Sequence, residues 1–518
     1  MLPTVDTRAR PTGPVVRTTA GAVRGSVEDG ICVFRGIPYA EPPVGRLRFR
    51  PPAPRAPWDG VRDATRFGPT HPQSHDPVEG RIMRVGARPP AGEDCLNLNV
   101  WTPYPAAGGL PVFVWLHGGS LKLGAGSDAL YDGAAFARDG VVVVTLNYRL
   151  HAAGYLNVEG RPGAGAFGLL DQIAALEWVR DEIAAFGGDP DLVTVAGESA
   201  GAHSVGQLLG APAARGLFRR GVLQSGSASF DVPVETSAVL GTAVLDRLDV
   251  RPDDEEGLAA VTDADLLAAY DSIEPRMFEV LDAHGVRPRP MTLATRVVCL
   301  STTGGDVVPR PALQAVADGA ARGIDLLVGS TLDEVDLFPE EFSAVAPSVA
   351  EAAFGASGRT PEQVLATYAS APGGSERARR SRLLTDVIFR IPQIRLLEAA
   401  RPHSTRVYAF QLVWGSPPSD RGLGAYHGLD LPFVWNRLDD AAAPFFELAG
   451  ARPPEELVDA VHGAWVEFVR TGVPRHPRLP EWPAYDVDRR ATMWLDVESR
   501  VVDDPLAEER RLWDGVTL

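Results

Sequence analysis

Lysine is almost missing from this chain. Fifty of its 518 residues are basic, and Lys122 is the only lysine among them. The positive charge is therefore arginine, a bias that reads as coding-sequence composition rather than as a functional device. Acidic residues outnumber basic ones by 67 to 50, giving a formal net charge of −17 and a pI near 5.1. That balance excludes nucleic acid and anionic membrane surfaces as natural partners. Cysteine is scarce too: Cys32, Cys95 and Cys299 form no C-x-x-C pair, and a disulfide framework is not expected. No stretch approaches 18 uninterrupted apolar residues, and residues 1–10 hold charge and proline instead of an apolar core. Neither a membrane span nor a signal peptide is expected, so the chain reads as cytoplasmic. Internal repeats and low-complexity tails are also absent.

What is present is material for a large core, with 45% hydrophobic and only 23% charged residues. Continuous apolar runs at 111–116 and 141–148 have the composition of strands covered on both faces. Residues 96–101 alternate as a strand does, and 18–25 read as a hairpin. Further strands are expected at 219–224, 324–329 and 405–414. Helical spacing marks 171–186 and the late stripe Leu457, Val461, Trp465 and Phe468. Residues 235–290 are acidic and helical with breaks at Pro252 and Pro275, and 347–400 are helical again. Strands alternating with helices predict an α/β fold with a mainly parallel, doubly wound central sheet. At 518 residues the length suggests two or three domains, yet large α/β enzymes build on a single sheet. The expectation is one domain over 1–518, with helical insertions around 235–300 and 347–400.

The chain is organised around 192–201. A β-branched run enters Gly197-Glu198-Ser199-Ala200-Gly201, and a helical stretch follows from 202 to 209. This is G-x-S-x-G in its strand–turn–helix setting, which lifts Ser199 clear of the sheet as a nucleophile. The N–H groups that follow, Ala200 first, aim the positive end of a helix at any charge that develops there. His117-Gly118-Gly119-Ser120 follows directly on the run 111–116, where backbone N–H groups can complete an oxyanion hole. In an α/β-hydrolase the acid and then the histidine follow the serine along the chain. Five of ten histidines come late enough: His284, His403, His427, His462 and His476. His427 stands in a glycine-flanked loop after 405–414 and suits a base; His462 is mid-helix and reads as structural, and His203 as a core residue. The acid should close the strand at 324–328, where Asp333, Glu334 and Asp336 are all candidates. A second glycine motif, Gly163-Ala164-Gly165-Ala166-Phe167-Gly168, satisfies G-x-G-x-x-G, but no strand precedes it, and the dinucleotide reading fails.

Several ordered segments then make the chain resemble the type B carboxylesterase family, which includes bacterial para-nitrobenzyl esterases and, more distantly, cholinesterases. They are 34–49, 93–100, 117–119, 123–127, 147–150, 168–172, 186–190, 197–201, 333–334 and 427–433. The resemblance implies an α/β-hydrolase fold and hydrolysis of small-molecule carboxylic esters through an acyl-enzyme, with no cofactor and no metal. It implies Ser199 as nucleophile, Glu334 as acid and His427 as base. Gly118, Gly119 and Ala200 would supply the oxyanion donors, and Glu198 and Ser225 would stand behind the site. An amide, carbamate or lactone hydrolase would carry the same triad. A non-catalytic adhesion or scaffold relative would lack part of it.

Ser120, Leu121, Val335 and Asp430 depart from the family pattern. His71 stands where secreted relatives carry the cysteine that pairs with the Cys95 position, so that disulfide is not expected. The loop from His71 to Glu93 has no aromatic residue and carries Arg81, Arg84 and Arg88. Cholinesterases use a tryptophan from this loop to hold choline, so choline esters are expected to be poor substrates.

Overall fold

The computed structural model describes residues 13–73, 89–103, 105, 108–297, 300–369, 374–415 and 423–518. Eleven strands form the central sheet: β1 (Ser26–Glu28), β2 (Ile31–Pro38), β3 (Asn97–Thr102), β4 (Leu110–Leu116), β5 (Val142–Leu146), β6 (Gly188–Glu198), β7 (Arg220–Gln224), β8 (Asp325–Thr331), β9 (Val407–Leu412), β10 (Thr492–Leu495) and β11 (Arg500–Val502). Their order is β11-β10-β9-β8-β7-β6-β4-β5-β3-β2-β1. Seven neighbours from β5 to β10 run parallel, and the antiparallel strands lie at the two edges. The sheet is thus mixed and mainly parallel, as the alternation of elements predicts.

The period of two sorts the apolar runs onto two cores. On β4, Val112, Val114 and Leu116 join one buried cluster, while Phe113 and Trp115 join the other. Helices α1 (Phe167–Glu182) and α2 (Ala200–Gly210) cover the first face. Trp465 and Val461 of α3 (Glu455–Thr471) cover the second. Burial on both faces is why these strands read as unbroken apolar runs.

One buried ion pair ties the end of β5 to α1. Arg149 Nε and Nη2 each lie 2.7 Å from the Asp171 carboxylate, and the Arg149 N–H donates to the same group at 3.0 Å. Both side chains are almost wholly buried. Removing one partner strands the other charge in a dry interior. Arg149→Met is expected to destabilise the protein by about 3–5 kcal/mol, read as a lower urea midpoint. An unchanged midpoint would refute this.

Three local features depart from the sequence reading. The segment 34–49 begins inside a strand that the sequence reading does not include: β2 pairs antiparallel with β3 through a bulge between Phe34 and Ile37. Gly36 adopts φ 67° there and interrupts the alternation that would have marked a strand. The hairpin at 18–25 has its strands at Val15–Arg17 and Ala22–Arg24, closed by a turn between Thr18 and Gly21. The helical stretch 376–400 contains a π-turn, Asp386–Arg390, held by Arg390 Nε on Asp386 Oδ1 at 2.6 Å. Such a turn carries one extra residue and re-aims the side chains on it. Among the described residues, no helix is long and apolar enough to cross a membrane.

Candidate active site

β6 ends at Glu198, α2 begins at Ala200, and Ser199 makes the whole connection. Its φ of 54° and ψ of −123° lie where a side chain is strained. The Ser199 N–H donates to the Gln224 carbonyl of β7 at 2.9 Å, which holds the turn in place. Glycine is required on both sides of it. A Cβ on Gly201 would strike the Leu116 carbonyl of β4, and one on Gly197 would strike the Gly201 backbone. The motif is therefore the set of residues that lets helix and strands approach this closely.

The strand β4 delivers the second glycine pair. A Cβ on Gly118 would lie 2.7 Å from Glu198 Oε2 and 3.2 Å from Ser199 Cβ, so the loop runs against the Ser199 turn. Gly119 has φ 109°, and its carbonyl accepts from the N–H groups of Lys122 and Leu123 at 2.8 and 3.0 Å. Ser120 and Leu121 continue at φ 55° and 59°, two side-chain-bearing residues in left-handed backbone. Tyr148 stacks on the His117 ring and donates its hydroxyl to the His117 carbonyl at 2.7 Å. Among the described residues, the N–H groups of Gly118, Gly119 and Ala200 donate to no protein acceptor. They are left for a ligand.

Only one of the three acid candidates reaches the imidazole. Glu334 is fully buried, and its Oε2 lies 2.5 Å from His427 Nδ1. Its Oε1 accepts the Thr331 N–H at 2.9 Å, and its carbonyl accepts the His427 N–H at 3.2 Å. The carboxylate thus orients the ring and leaves Nε2 for the cavity side, 3.2 Å from Glu198 Oε1. Asp333 turns away toward Arg382 at 3.4 Å and the Ala425 N–H at 3.2 Å. Burial, only partly offset by Arg382, pushes its carboxyl up to about 6. Asp336 accepts from Ser381 at 2.6 Å. His462 is occupied by the Val434 carbonyl and Asp139, as a structural histidine should be. His284 and His403 bind backbone carbonyls elsewhere, and His476 lies 3.5 Å from Asp459.

Behind the imidazole lies a polar layer only partly visible in the sequence. Ser225 is fully buried, and its N–H donates to Gly329 at 2.7 Å. Trp465 of α3 donates to Gln224 at 3.2 Å, and Gln224 donates to Asp430 at 2.8 Å. Gln224 and Trp465 carry no motif, since a buried amide at a strand end looks like any other polar residue. Burial raises the Asp430 carboxyl to about 6; the Glu334 charge adds to this, and Gln224 and His427 oppose it. Its folded value exceeds that of an exposed aspartate, so its stabilising contribution holds below about pH 4 and is lost as the pH rises through about 6. Asp430→Asn is expected to raise stability at pH 8 by up to about 2–3 kcal/mol, with the gain closing toward pH 4.5. Melting temperatures at both pH values check this, and an equal gain at both would refute it.

A narrow cavity opens on Ser199, Ala200 and His427. Phe230, Val297, Phe338, Phe342, Ile388 and Phe389 supply its large apolar side chains. Ile388 and Phe389 come from the π-turn, and the Phe389 ring lies 4.8 Å from that of His427. His203, read from the sequence as a core residue, is buried but also faces this cavity. Arg81, Arg84 and Arg88 lie outside the described residues. Cys95 is a buried free thiol, while His71 packs against the His151 ring at 5.0 Å. In the second glycine motif, the Gly163 N–H donates to the Asp306 carboxylate at 2.9 Å. Among the described residues, no cluster of three or more histidine, cysteine or acidic side chains is arranged to hold a metal.

Comparison with known proteins adds the family. Residues 12–513 match the carboxylesterase family. The chain is 37% identical to the para-nitrobenzyl esterase of Bacillus subtilis, over 96% of this chain and 98% of that one. It is 36% identical to the phenmedipham hydrolase of Pseudarthrobacter oxydans, with the same coverage of both chains. Among solved structures, a thermophilic para-nitrobenzyl esterase superposes with a TM-score of 0.80 at 34% identity, covering 97% of this chain and all of that one. A carboxylesterase of Geobacillus stearothermophilus gives 0.79 at 36% identity, over 96% of this chain and 99% of that one. With this match running almost end to end through an α/β-hydrolase fold, the chain belongs to the carboxylesterase family and is a hydrolase of carboxylic esters.

Proposed function

We propose that Ser199, His427 and Glu334 form the catalytic triad of this esterase. The observation that carries the reading is the 2.5 Å contact between Glu334 Oε2 and His427 Nδ1, opening onto the cavity that holds the strained Ser199. Glu334 fixes the tautomer with the proton on Nδ1, so the lone pair that takes the Ser199 proton is on His427 Nε2. Ser199 Oγ attacks the ester carbonyl, and the developing oxyanion takes the N–H groups of Gly118, Gly119 and Ala200. His427 then protonates the leaving alcohol, and water hydrolyses the acyl-enzyme by the same route. Glu198, 3.2 Å from Nε2, adds negative potential beside the imidazolium. Ser225 and Asp430 support the site from behind. The substrates are small neutral esters whose acyl group fits the aromatic cavity, hydrolysed by the whole chain acting as one hydrolase domain with helical insertions around 235–300 and 347–400.

The test is covalent. An organophosphate is expected to label one serine per chain, Ser199, with activity falling in step with labelling. A label mapped by mass spectrometry to any other serine would overturn the assignment.

A further inference from the structure

The mechanism leaves one buried imidazole unused. His203 follows Ser199 by one helical turn, and its N–H donates to the Ser199 carbonyl at 2.9 Å. Both side chains line the same cavity. The ring is stacked on Phe230, with centroids 4.3 Å apart and planes 22° from parallel. Nδ1 lies 3.0 Å from the Ser227 N and 3.2 Å from its carbonyl oxygen. An amide N–H can only donate, so Nδ1 accepts, and the neutral ring carries its proton on Nε2. Burial and the nearby His427 hold the ring's pKa down to about 3, so it is uncharged at neutral pH. Nε2 meets no protein partner among the described residues, and the ring lines the cavity beside Ser199. The Thr295 hydroxyl on the same wall already donates to the Met291 carbonyl at 3.0 Å.

We propose that His203 is a specificity residue, whose Nε2–H binds a neutral hydrogen-bond acceptor carried on the acyl chain of the substrate. An N–H facing an aromatic wall is poorly solvated, and an acceptor brought to it gains a bond that an alkyl chain cannot make. His203 stands on the helix whose first N–H, that of Ala200, is assigned to the oxyanion. An acyl group bound to Ser199 enters the cavity that His203 also lines. The acceptor is placed three bonds from the acyl carbon, as in a 3-alkoxypropanoyl ester. A carboxylate there would meet Glu198 and Glu334 in a low dielectric, so the acceptor is neutral. The inference rests on the assignment of Ser199 as nucleophile.

The test compares the aryl esters of 3-methoxypropanoate and pentanoate, which differ by one CH₂ replaced by oxygen. Each kcat/KM is divided by the rate of alkaline hydrolysis of the same ester. The wild type is expected to favour the ether about fivefold. His203→Asn retains an acceptor for the Ser227 N–H but no donor at the Nε2 position, and the preference should fall about five- to tenfold. His203→Gln, whose amide reaches toward that position, should restore part of it. Organophosphate titration counts working sites in each protein. If Ser199 is labelled and the ratio moves by less than twofold in the Asn variant, the inference is wrong. If Ser199 is not labelled, the site assignment fails instead. Should the Asn variant not fold, a wild-type ratio at or below one is sufficient to overturn the proposal. A preference that follows an ether placed on the alcohol, 2-methoxyethyl over butyl butanoate, would overturn the acyl assignment.

Discussion

Ser199→Ala is expected to lower kcat for a simple aryl ester by roughly 10⁴-fold or more, with the fold unchanged. The loss is large because the serine oxygen forms the bond that breaks the ester, and no other hydroxyl shares its position. The proposed oxyanion donors Gly118, Gly119 and Ala200 remain, so a small residual rate above water should survive. The fold should survive because removing one hydroxyl leaves the turn geometry intact. The Ser199 N–H to Gln224 contact and the Gly197 and Gly201 approaches involve backbone alone. Single-turnover kinetics and circular dichroism check both halves. A variant that retains more than about 1% of wild-type turnover would remove Ser199 from the chemistry.

Glu334→Gln should cost roughly 10³–10⁴ in kcat, while Asp333→Asn should cost less than about tenfold. A glutamine presents either an amide N–H or a neutral oxygen to His427 Nδ1, so it neither secures the tautomer nor stabilises the imidazolium. Asp333 bonds Arg382 and the Ala425 N–H rather than the ring. Its loss loosens the loop without changing the proton path. The pH profile separates the roles further. Protonated His427 cannot accept the serine proton, so activity falls on acidification. Losing the Glu334 charge disfavours the imidazolium, and the acid limb should move to lower pH in Glu334→Gln. In Asp333→Asn it should stay in place. Measuring kcat/KM from pH 5 to 9 for both variants checks this, and the larger loss in Asp333→Asn would reverse the assignment of the acid.

Residue type at short range was enough for the nucleophile turn and the glycine loop. Gly197, Gly201 and Gly118 stand where any Cβ would hit backbone or the next turn, so chemistry and sterics coincide within a few residues. The buried parallel strands were legible for a similar reason: burial on both faces forces an unbroken apolar run, as at β4 and β5. The edge was harder to see. The bulge at Gly36 breaks the alternation of β2. The short end strands β10 and β11 hold four and three residues, too few for a period to emerge.

By itself, then, the sequence determined which backbone positions must be glycine, which runs must be buried, and, through its resemblance, which three side chains to bring together. It could not choose among Asp333, Glu334 and Asp336 by pattern, because the choice rests on where each carboxylate points. Only the tertiary structure shows where each points: it seats Glu334 under the Thr331 N–H with Oε2 on His427, 93 residues away along the chain. It also decided that the π-turn at 386–390 brings Phe389 over the imidazole, and that His203 looks into the cavity. The physical reason is common to all three. A side chain's role depends on what faces it across the fold, and those partners come from strands and helices that only the folded sheet makes neighbours.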